Sequence, residues 1–461
     1  MGTLNSGGKL TVRPWEGDIG IPVPRRATKP FAALPGLAAC ALFGAAACAR
    51  PAATQPPGPV RIVLKHQPLF GDPAAFAAVL ERFRRDNPGI ALEDEALPGG
   101  SDAARQFFLT ALEGKADDFD VLGIDVIWTP EFARAGWIAD LSGAFPPERL
   151  RREFLPASAE AVILDGKSWA VPWYLDVGLL YYRTDLVPRA PRTYDDLERF
   201  ARAAQARDPA LAGLLWQGRQ YEGLSCNAFE AIWGHEGGAA SGSGDAASQR
   251  SGDAATLQMD TPAARAGLEW LRSTIASGLS PRSVASASEE ETRRVFQDGR
   301  AVFLRNWPYV WAEVQREGSA VRGKVAWTTL PTTSGAPGAG ALGGWQLAIN
   351  AHSPRWRRAA AERLVAHLTS LDSAVALALA YSRNPARRDA YDDPRVRRGA
   401  PFIAALLPAA IAARPRPVSP IYDLAADTLQ GELSAAIIGL RSPAEALKRA
   451  QQGIDRLEAS R

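Results

Sequence analysis

Lysine, cysteine and histidine are all scarce in this chain. Seven of its 53 basic residues are lysine, and its 461 positions hold three cysteines, four histidines and two methionines. Each scarcity excludes something. Cys40 and Cys48 fall in or at the end of an apolar N-terminal stretch, so only Cys226 remains beyond them. An internal disulfide framework is therefore impossible in the body. His66, His235, His352 and His367 are far apart, and His235-Glu236 lacks a second histidine four residues on. The helical zinc-protease pattern is missing, and no metal site is expected. No Gly-x-Ser-x-Gly nucleophile turn occurs. A surplus of positive charge is missing too. The formal charge is +3, but residues 1–47 carry five basic and two acidic residues, leaving 48 of each in the remainder. A neutral body has no general field for a polyanion, so nucleic acid is not an expected partner. Apolar residues at 46% and charged residues at 22% exclude a disordered or collagen-like chain.

Long apolar runs are also rare. Residues 31–47 form an uncharged stretch made almost wholly of apolar and small residues, preceded by Arg25, Arg26 and Lys29. A basic segment followed by an apolar one is the layout of a secretory signal, and 17 residues interrupted by Pro35 fall short of a membrane span of about 20. Small residues before a cysteine at the end of such a segment resemble the lipobox of bacterial lipoproteins. Leu37-Ala38-Ala39-Cys40 fits by letter; Ala45-Ala46-Ala47-Cys48 fits by position, after the whole apolar segment and before an Ala/Pro/Gln tether. The preferred lipidation site is Cys48, with residues 1–47 as signal peptide and 48–59 as tether. The expected product is exported and lipid-anchored to the membrane, facing the periplasm or the cell exterior.

Beyond the tether, strand and helix patterns alternate. Residues 60–64 read as a strand, and Asp72 can cap a helix over 73 to about 85, with Phe76, Val79, Leu80 and Phe83 at helical spacing. Pro88-Gly89 ends that helix, a strand begins at Ile90, a helix covers 103–112, and 121–128 is a nearly continuous apolar run. Strands at 170–173 and 178–183 and a helix over 194–206 repeat the pattern, and 422–460 reads as two helices broken near 439–443. The fold class is therefore α/β with a mainly parallel sheet. Residues 237–256, with Ser-Gly-Asp-Ala-Ala twice, are too poor in apolar side chains to pack and read as a surface loop. Gly338 to Gly343 spells a dinucleotide-type glycine pattern, but a Pro/Thr/Ser loop precedes it and a strand-like segment follows, the reverse of what a phosphate-binding turn needs. No cofactor is expected.

Tryptophan, by contrast, is abundant: thirteen, many beside Asp, Asn, Gln or Gly. Ile127-Trp128, Trp173-Tyr174-Leu175-Asp176, Trp216-Gln217, Asn306-Trp307-Pro308-Tyr309 and Gly343-Gly344-Trp345 are the notable settings. A pyranose offers an apolar C–H face to an aromatic ring and a rim of hydroxyls to carboxylates and amides, so such settings suit a sugar. For any one tryptophan, core packing remains the alternative.

Segments 120–141, 169–187, 214–232, 295–311, 341–350, 384–394 and 416–423, taken in order, resemble the family of extracellular sugar-binding lipoproteins that serve ABC importers, most closely its trehalose/maltose-binding branch. The resemblance implies a two-lobed periplasmic-binding-protein fold with the ligand cleft between lobes and several hinge crossings, near 172–176, 340–343 and 383–385. One lobe would comprise 60–172 plus 343–382, the other 173–342 plus 383–461. It implies a monomer that captures a disaccharide or small oligosaccharide, delivers it to permease subunits and catalyses nothing. Carried over by motif, Asp72, Asp125 and Asp176 would accept sugar hydroxyls. Tyr174, Trp307, Tyr309 and Trp345 would supply ring faces or a phenolic hydrogen bond. Gly343 and Gly344 would let the backbone approach, and Arg416 would donate from the second lobe. Asn306, Gln217 and Arg105 are weaker carry-overs, and Glu222 could brace its segment instead of touching sugar. The competing reading is a secreted glycosidase, which needs two carboxyl groups about 5 Å apart, or about 6.5–9.5 Å apart with a water between them.

Overall fold

The computed structural model describes residues 58–97, 100–235, 258–417 and 422–460. The signal peptide, Cys48, nearly all of the tether and the 237–256 loop lie outside the described residues.

Thirteen strands are found among those residues: β1 Val60–His66, β2 Ile90–Ala96, β3 Val121–Asp125, β4 Ile163–Leu164, β5 Lys167–Ser168, β6 Val171–Val177, β7 Leu179–Arg183, β8 Ala212–Leu215, β9 Ala301–Asn306, β10 Val325–Thr328, β11 Ala341–Ile349, β12 Asn384–Pro385 and β13 Arg414–Pro415. They build a seven-stranded sheet in the order β12-β6-β11-β3-β1-β2, with β13 also on β11, a four-stranded sheet in the order β10-β7-β9-β8, and a short β4-β5 ribbon.

The helices that cover these sheets are set by caps and apolar faces. In Pro73–Asp86, Asp72 accepts a hydrogen bond from the Ala74 N–H at 2.9 Å, Pro73 occupies the first turn, and Phe76, Val79, Leu80 and Phe83 are buried on one face. Thr193 caps Tyr194–Arg207 and Ser442 caps Pro443–Ala459 in the same way. The second tail helix, packed against Tyr422–Ile437, ends the described chain.

The sheets are less parallel than the alternating pattern predicts. β1 pairs in parallel with β2 and β3, β8 with β9, and β11 with the two-residue β13, but the β3–β11, β11–β6 and β6–β12 pairs are antiparallel. The cause is connectivity. β11 re-enters the large sheet after the chain has built the small one, and it slots between β3 and β6 in the opposite sense. The strand expected at 170–173 also runs further, through Asp176 to Val177.

Two hydrophobic cores result, one per lobe, and single strands feed both. Val171, Trp173 and Tyr174 of β6 belong to the core that holds β1 and β3, whereas Leu175 and Val177 belong to the other. In β11, Leu342 lies in the second core, and Trp345 with Leu347–Ile349 in the first. The three expected crossings lie side by side, since Gly343 is opposite Asp176 and Pro385 is opposite Tyr174.

Candidate functional site

Strand alternation decides which residues of the crossings face the cleft. Successive side chains in β6 point to opposite faces. Trp173 packs inward against His66 and Phe76, while Tyr174 and Asp176 line a cavity of about 420 Å³. That volume is within the usual range for small-molecule sites. β11 contributes Gly343, Gly344 and Trp345, and β3 contributes Asp125 at its C-terminal end. Trp307 and Tyr309 follow β9, and Arg416 follows β13.

Nine of the ten expected ligand residues therefore line one cavity. Asp72 is the exception: its exposed carboxylate is occupied in capping Pro73–Asp86, and Asp72 is not part of the lining. The neighbouring Pro68 and Phe70 reach the cavity in its place. The backbone of Asp72 serves the same corner, its carbonyl accepting the Tyr381 hydroxyl at 2.5 Å.

Arg416 is the centre of a buried charge network. Its Nη1 donates to Glu222 Oε1 at 2.7 Å and its Nη2 to Asp125 Oδ1 at 3.2 Å. Glu222 also accepts from the Tyr422 hydroxyl at 2.7 Å and from Gln430 at 3.0 Å. Burial raises the carboxyl groups of Asp125 and Glu222 above the usual carboxylate range, and Arg416 pulls both back. Glu222 thus both braces its segment and borders the cavity.

Asp176 differs from these paired acids. Its Oδ2 is 3.7 Å from Arg383 Nη1, beyond hydrogen-bonding reach, and its Oδ1 is buried with no partner among the described residues. Desolvation pushes its carboxyl up to about 6, opposed chiefly by Arg383.

The aromatic wall is anchored from behind. The Arg305 guanidinium lies 4.0 Å from the centroid of the Trp307 ring and is held by two hydrogen bonds to Glu230. The Trp307 indole donates to Glu289 at 3.2 Å, and the Tyr309 hydroxyl donates to Glu290 at 2.8 Å. Trp345 is set edge-on against Trp128, ring centroids 5.6 Å apart.

Glycine is required at one of these positions and leaves room for a ligand at its neighbour. Gly344 has φ of +129°, and a Cβ there would lie 2.5 Å from the Tyr174 carbonyl oxygen. At Gly343 a Cβ would meet Asp176 Cβ at 3.4 Å and the Trp307 ring at 3.5 Å.

The weaker carry-overs are structural. Gln217 bonds Thr292 and the Arg305 carbonyl in the core, Asn306 ties the Glu289 carbonyl to the Trp307 N–H, and Arg105 pairs with Glu131. Trp128, Trp173 and Trp216 are core residues, Trp216 donating to Thr274 and Ser280. Sequence reasoning missed Asp102, Tyr221, Glu289, Glu290 and Arg383 as lining residues. Among the described residues, no group of three or more His, Cys, Asp or Glu side chains could hold a metal ion.

A two-lobed α/β body with such a cleft at its crossings defines a periplasmic-type binding protein. The sequence profile described as bacterial extracellular solute-binding protein matches residues 67–374, and this chain belongs to that family. A probable ABC transporter-binding protein of Deinococcus radiodurans is 32% identical over 374 residues, 78% of this chain and 85% of the relative. Among solved structures, maltose-bound MalE3 of T. maritima is 33% identical, with a TM-score of 0.79 over 86% of this chain and 100% of that one. The GacH receptor of Streptomyces glaucescens, solved unliganded and with acarbose, shares the fold at 20% identity, with a TM-score of 0.74 over 87% of this chain and 98% of that one.

Proposed function

We propose that this protein is the extracytoplasmic binding component of an ABC sugar importer. It captures a disaccharide or small oligosaccharide of the trehalose/maltose type between its lobes and delivers it to the permease. The observation that carries this reading is one cavity in which Trp307, Trp345, Tyr174 and Tyr309 meet carboxylates, among them Asp176, whose Oδ1 has no partner among the described residues. Ring faces suit the C–H side of a pyranose and carboxylates suit its hydroxyls. The names of the Deinococcus relative and of the maltose-bound structure support it from outside the site.

The same reading assigns residues 60–172 and 343–382 to one lobe and 173–342 and 383–461 to the other; the change of core within β11 supports it, and within β6 the core changes two residues later, between Tyr174 and Leu175. Asp125, Tyr174, Asp176, Trp307, Tyr309, Gly343, Gly344, Trp345 and Arg416 are its ligand residues. The protein acts as a monomer, tethered through a lipid on Cys48. Support for the anchor is the order of basic, apolar, cysteine and tether segments. Cys48→Ser should release it from membranes, whereas release by Cys40→Ser alone would move the anchor to Cys40.

Calorimetry with maltose, trehalose, sucrose and mannitol, followed by chromatography of each mixture, tests the function. Heat with unchanged sugar is the expected result. New products would identify a glycosidase, and no heat from any sugar would remove the sugar-binding reading.

A further inference from the structure

Arg383 stands immediately before β12, in the third crossing, and lines the cavity. It is 5% exposed. Its guanidinium carbon is 4.8 Å from the Tyr174 ring centroid and 5.1 Å from that of Tyr309, so the group is clamped between two cavity-lining rings. The other buried arginines of this region are spent on carboxylates: Arg305 on Glu230, and Arg416 on Glu222 and Asp125. Arg383 is not. Its nearest acid is Asp176 at 3.7 Å, and its Nε is buried with no hydrogen-bonding partner among the described residues. Asp176 Oδ1, 6% exposed as a residue, is buried and unpartnered beside it. Arg383 Nε and Asp176 Oδ1 are thus a buried donor and a buried acceptor without partners among the described residues, on two residues that line the same cavity. Leaving such groups unpaired is costly, and a ligand that supplies both partners recovers that cost.

We propose that Arg383 is a ligand-contacting, specificity-determining residue, which with Asp176 reads two adjacent hydroxyl groups of the bound sugar. Asp176 Oδ1 accepts the proton of one hydroxyl, and the Arg383 guanidinium donates to the oxygen of the next. The pair selects neutral sugars over acid sugars. An anion drawn to Arg383 would also face Asp176, in a cavity lined by six carboxylates and three guanidiniums. This inference rests on the sugar-binding reading above.

The test is a cycle between protein and ligand variants, read by calorimetry. Maltose, trehalose and mannitol are the neutral probes and maltobionate is the acid one. Monodeoxy analogues are then taken of whichever neutral disaccharide binds. In the parent protein, at least one monodeoxy analogue should bind tenfold or more weakly than the full sugar, and maltobionate more weakly still. Arg383→Met should bind the full sugar about tenfold to a hundredfold more weakly. It should no longer distinguish that sugar from the analogue whose missing oxygen Arg383 contacts. If circular dichroism shows Arg383→Met unfolded, Arg383→Lys carries the same cycle. A residue that only pins Tyr174 against Tyr309 would weaken every sugar equally and leave each deoxy penalty intact; that result overturns the proposal, as does parental binding by folded Arg383→Met. No heat from any neutral probe with the parent removes the sugar-binding reading and this inference together, so the two failures are told apart.

Discussion

Arg416 Nη2 donates to Asp125 Oδ1 at 3.2 Å, joining the end of β3 to the segment that follows β13. The two residues are 291 positions apart, and both lie at the edge of the cleft. Because Glu222 holds the other arm of the same guanidinium at 2.7 Å, one cation balances two buried acids.

Removing that cation should therefore hurt stability as well as binding. Breaking a buried ion pair from one side costs about 3–5 kcal/mol, since the remaining charges are stranded. Burial already raises Asp125 and Glu222, and Arg416 is the main influence opposing it. Without Arg416 both acids rise further, so protonation at lower pH relieves the loss. Urea unfolding of Arg416→Met should show a large deficit at pH 8 that shrinks toward pH 5. An equal deficit at both values would mean that packing of the arginine stem, not charge, is what the network provides.

Asp176 should show the opposite trade. The folded state holds its proton up to about 6, whereas an unfolded aspartate releases it near about 4. Between those values the native state binds more protons, so stability falls as pH rises through this window, and the cost persists above it. By the size of that shift the ionised carboxylate costs the unliganded fold about 1–3 kcal/mol. Asp176→Asn should raise the unliganded Tm at pH 8 and leave it nearly unchanged at pH 4. The same substitution should weaken sugar binding at least tenfold. For the parent, affinity should decline from pH 7 to pH 5 as the acceptor becomes neutral. A Tm gain of the same size at both pH values would contradict the desolvation account.

The Trp307 ring should separate stacking from hydrogen bonding. Trp307→Ala should weaken binding by about tenfold to a few hundredfold through lost ring area. Trp307→Phe keeps a flat face, but it also strands Glu289, which now accepts the indole N–H. The Phe variant should therefore fall between parent and Ala. Asp392, exposed and paired only with Arg397 among the described residues, is the control, and Asp392→Ala should change nothing. Titration calorimetry on folded variants decides it; parental affinity in Trp307→Ala would take this ring out of the site.

Local features were legible in the sequence because they are local. The cap and apolar face of Pro73–Asp86, the start of the strand at 170–173 and the break between the two tail helices each depend on a few neighbouring residues. Asp72 shows the limit. Its sequence context permits both a cap and a ligand, and the structure uses its carboxylate as a cap. Glu289 and Glu290 open a helix whose Ser288 capping box and acidic first turn explain them fully without a site. Only the tertiary placement of that turn against Trp307 and Tyr309 brings them to the cavity. Arg383 is similar: as a letter it marks a crossing, and its placement beside Tyr174, Tyr309 and Asp176, with Nε unpartnered among the described residues, exists only in the folded chain. The antiparallel insertion of β11 is likewise a long-range event that no periodicity encodes.

The two adjacent glycines of β11 should fail in different ways. At Gly344 the backbone has φ of +129°, and an added Cβ would lie 2.5 Å from the Tyr174 carbonyl oxygen and 2.7 Å from Leu175 Cα. Those are main-chain atoms of the paired crossing strand, so nothing flexible can give way. Gly344→Ala should lose several kcal/mol of stability or fail to fold, through strain and a broken β6–β11 register. At Gly343 the added methyl meets Asp176 Cβ and the Trp307 ring at 3.4–3.5 Å, which is ordinary contact. Gly343→Ala should fold with a Tm close to the parent, yet bind sugar more weakly, because the methyl occupies space between the carboxylate and the ring that receive the ligand. Thermal unfolding and calorimetry on the two variants separate the roles. If Gly343→Ala binds as the parent does, the ligand does not approach this strand, and the β11 backbone loses its place in the site.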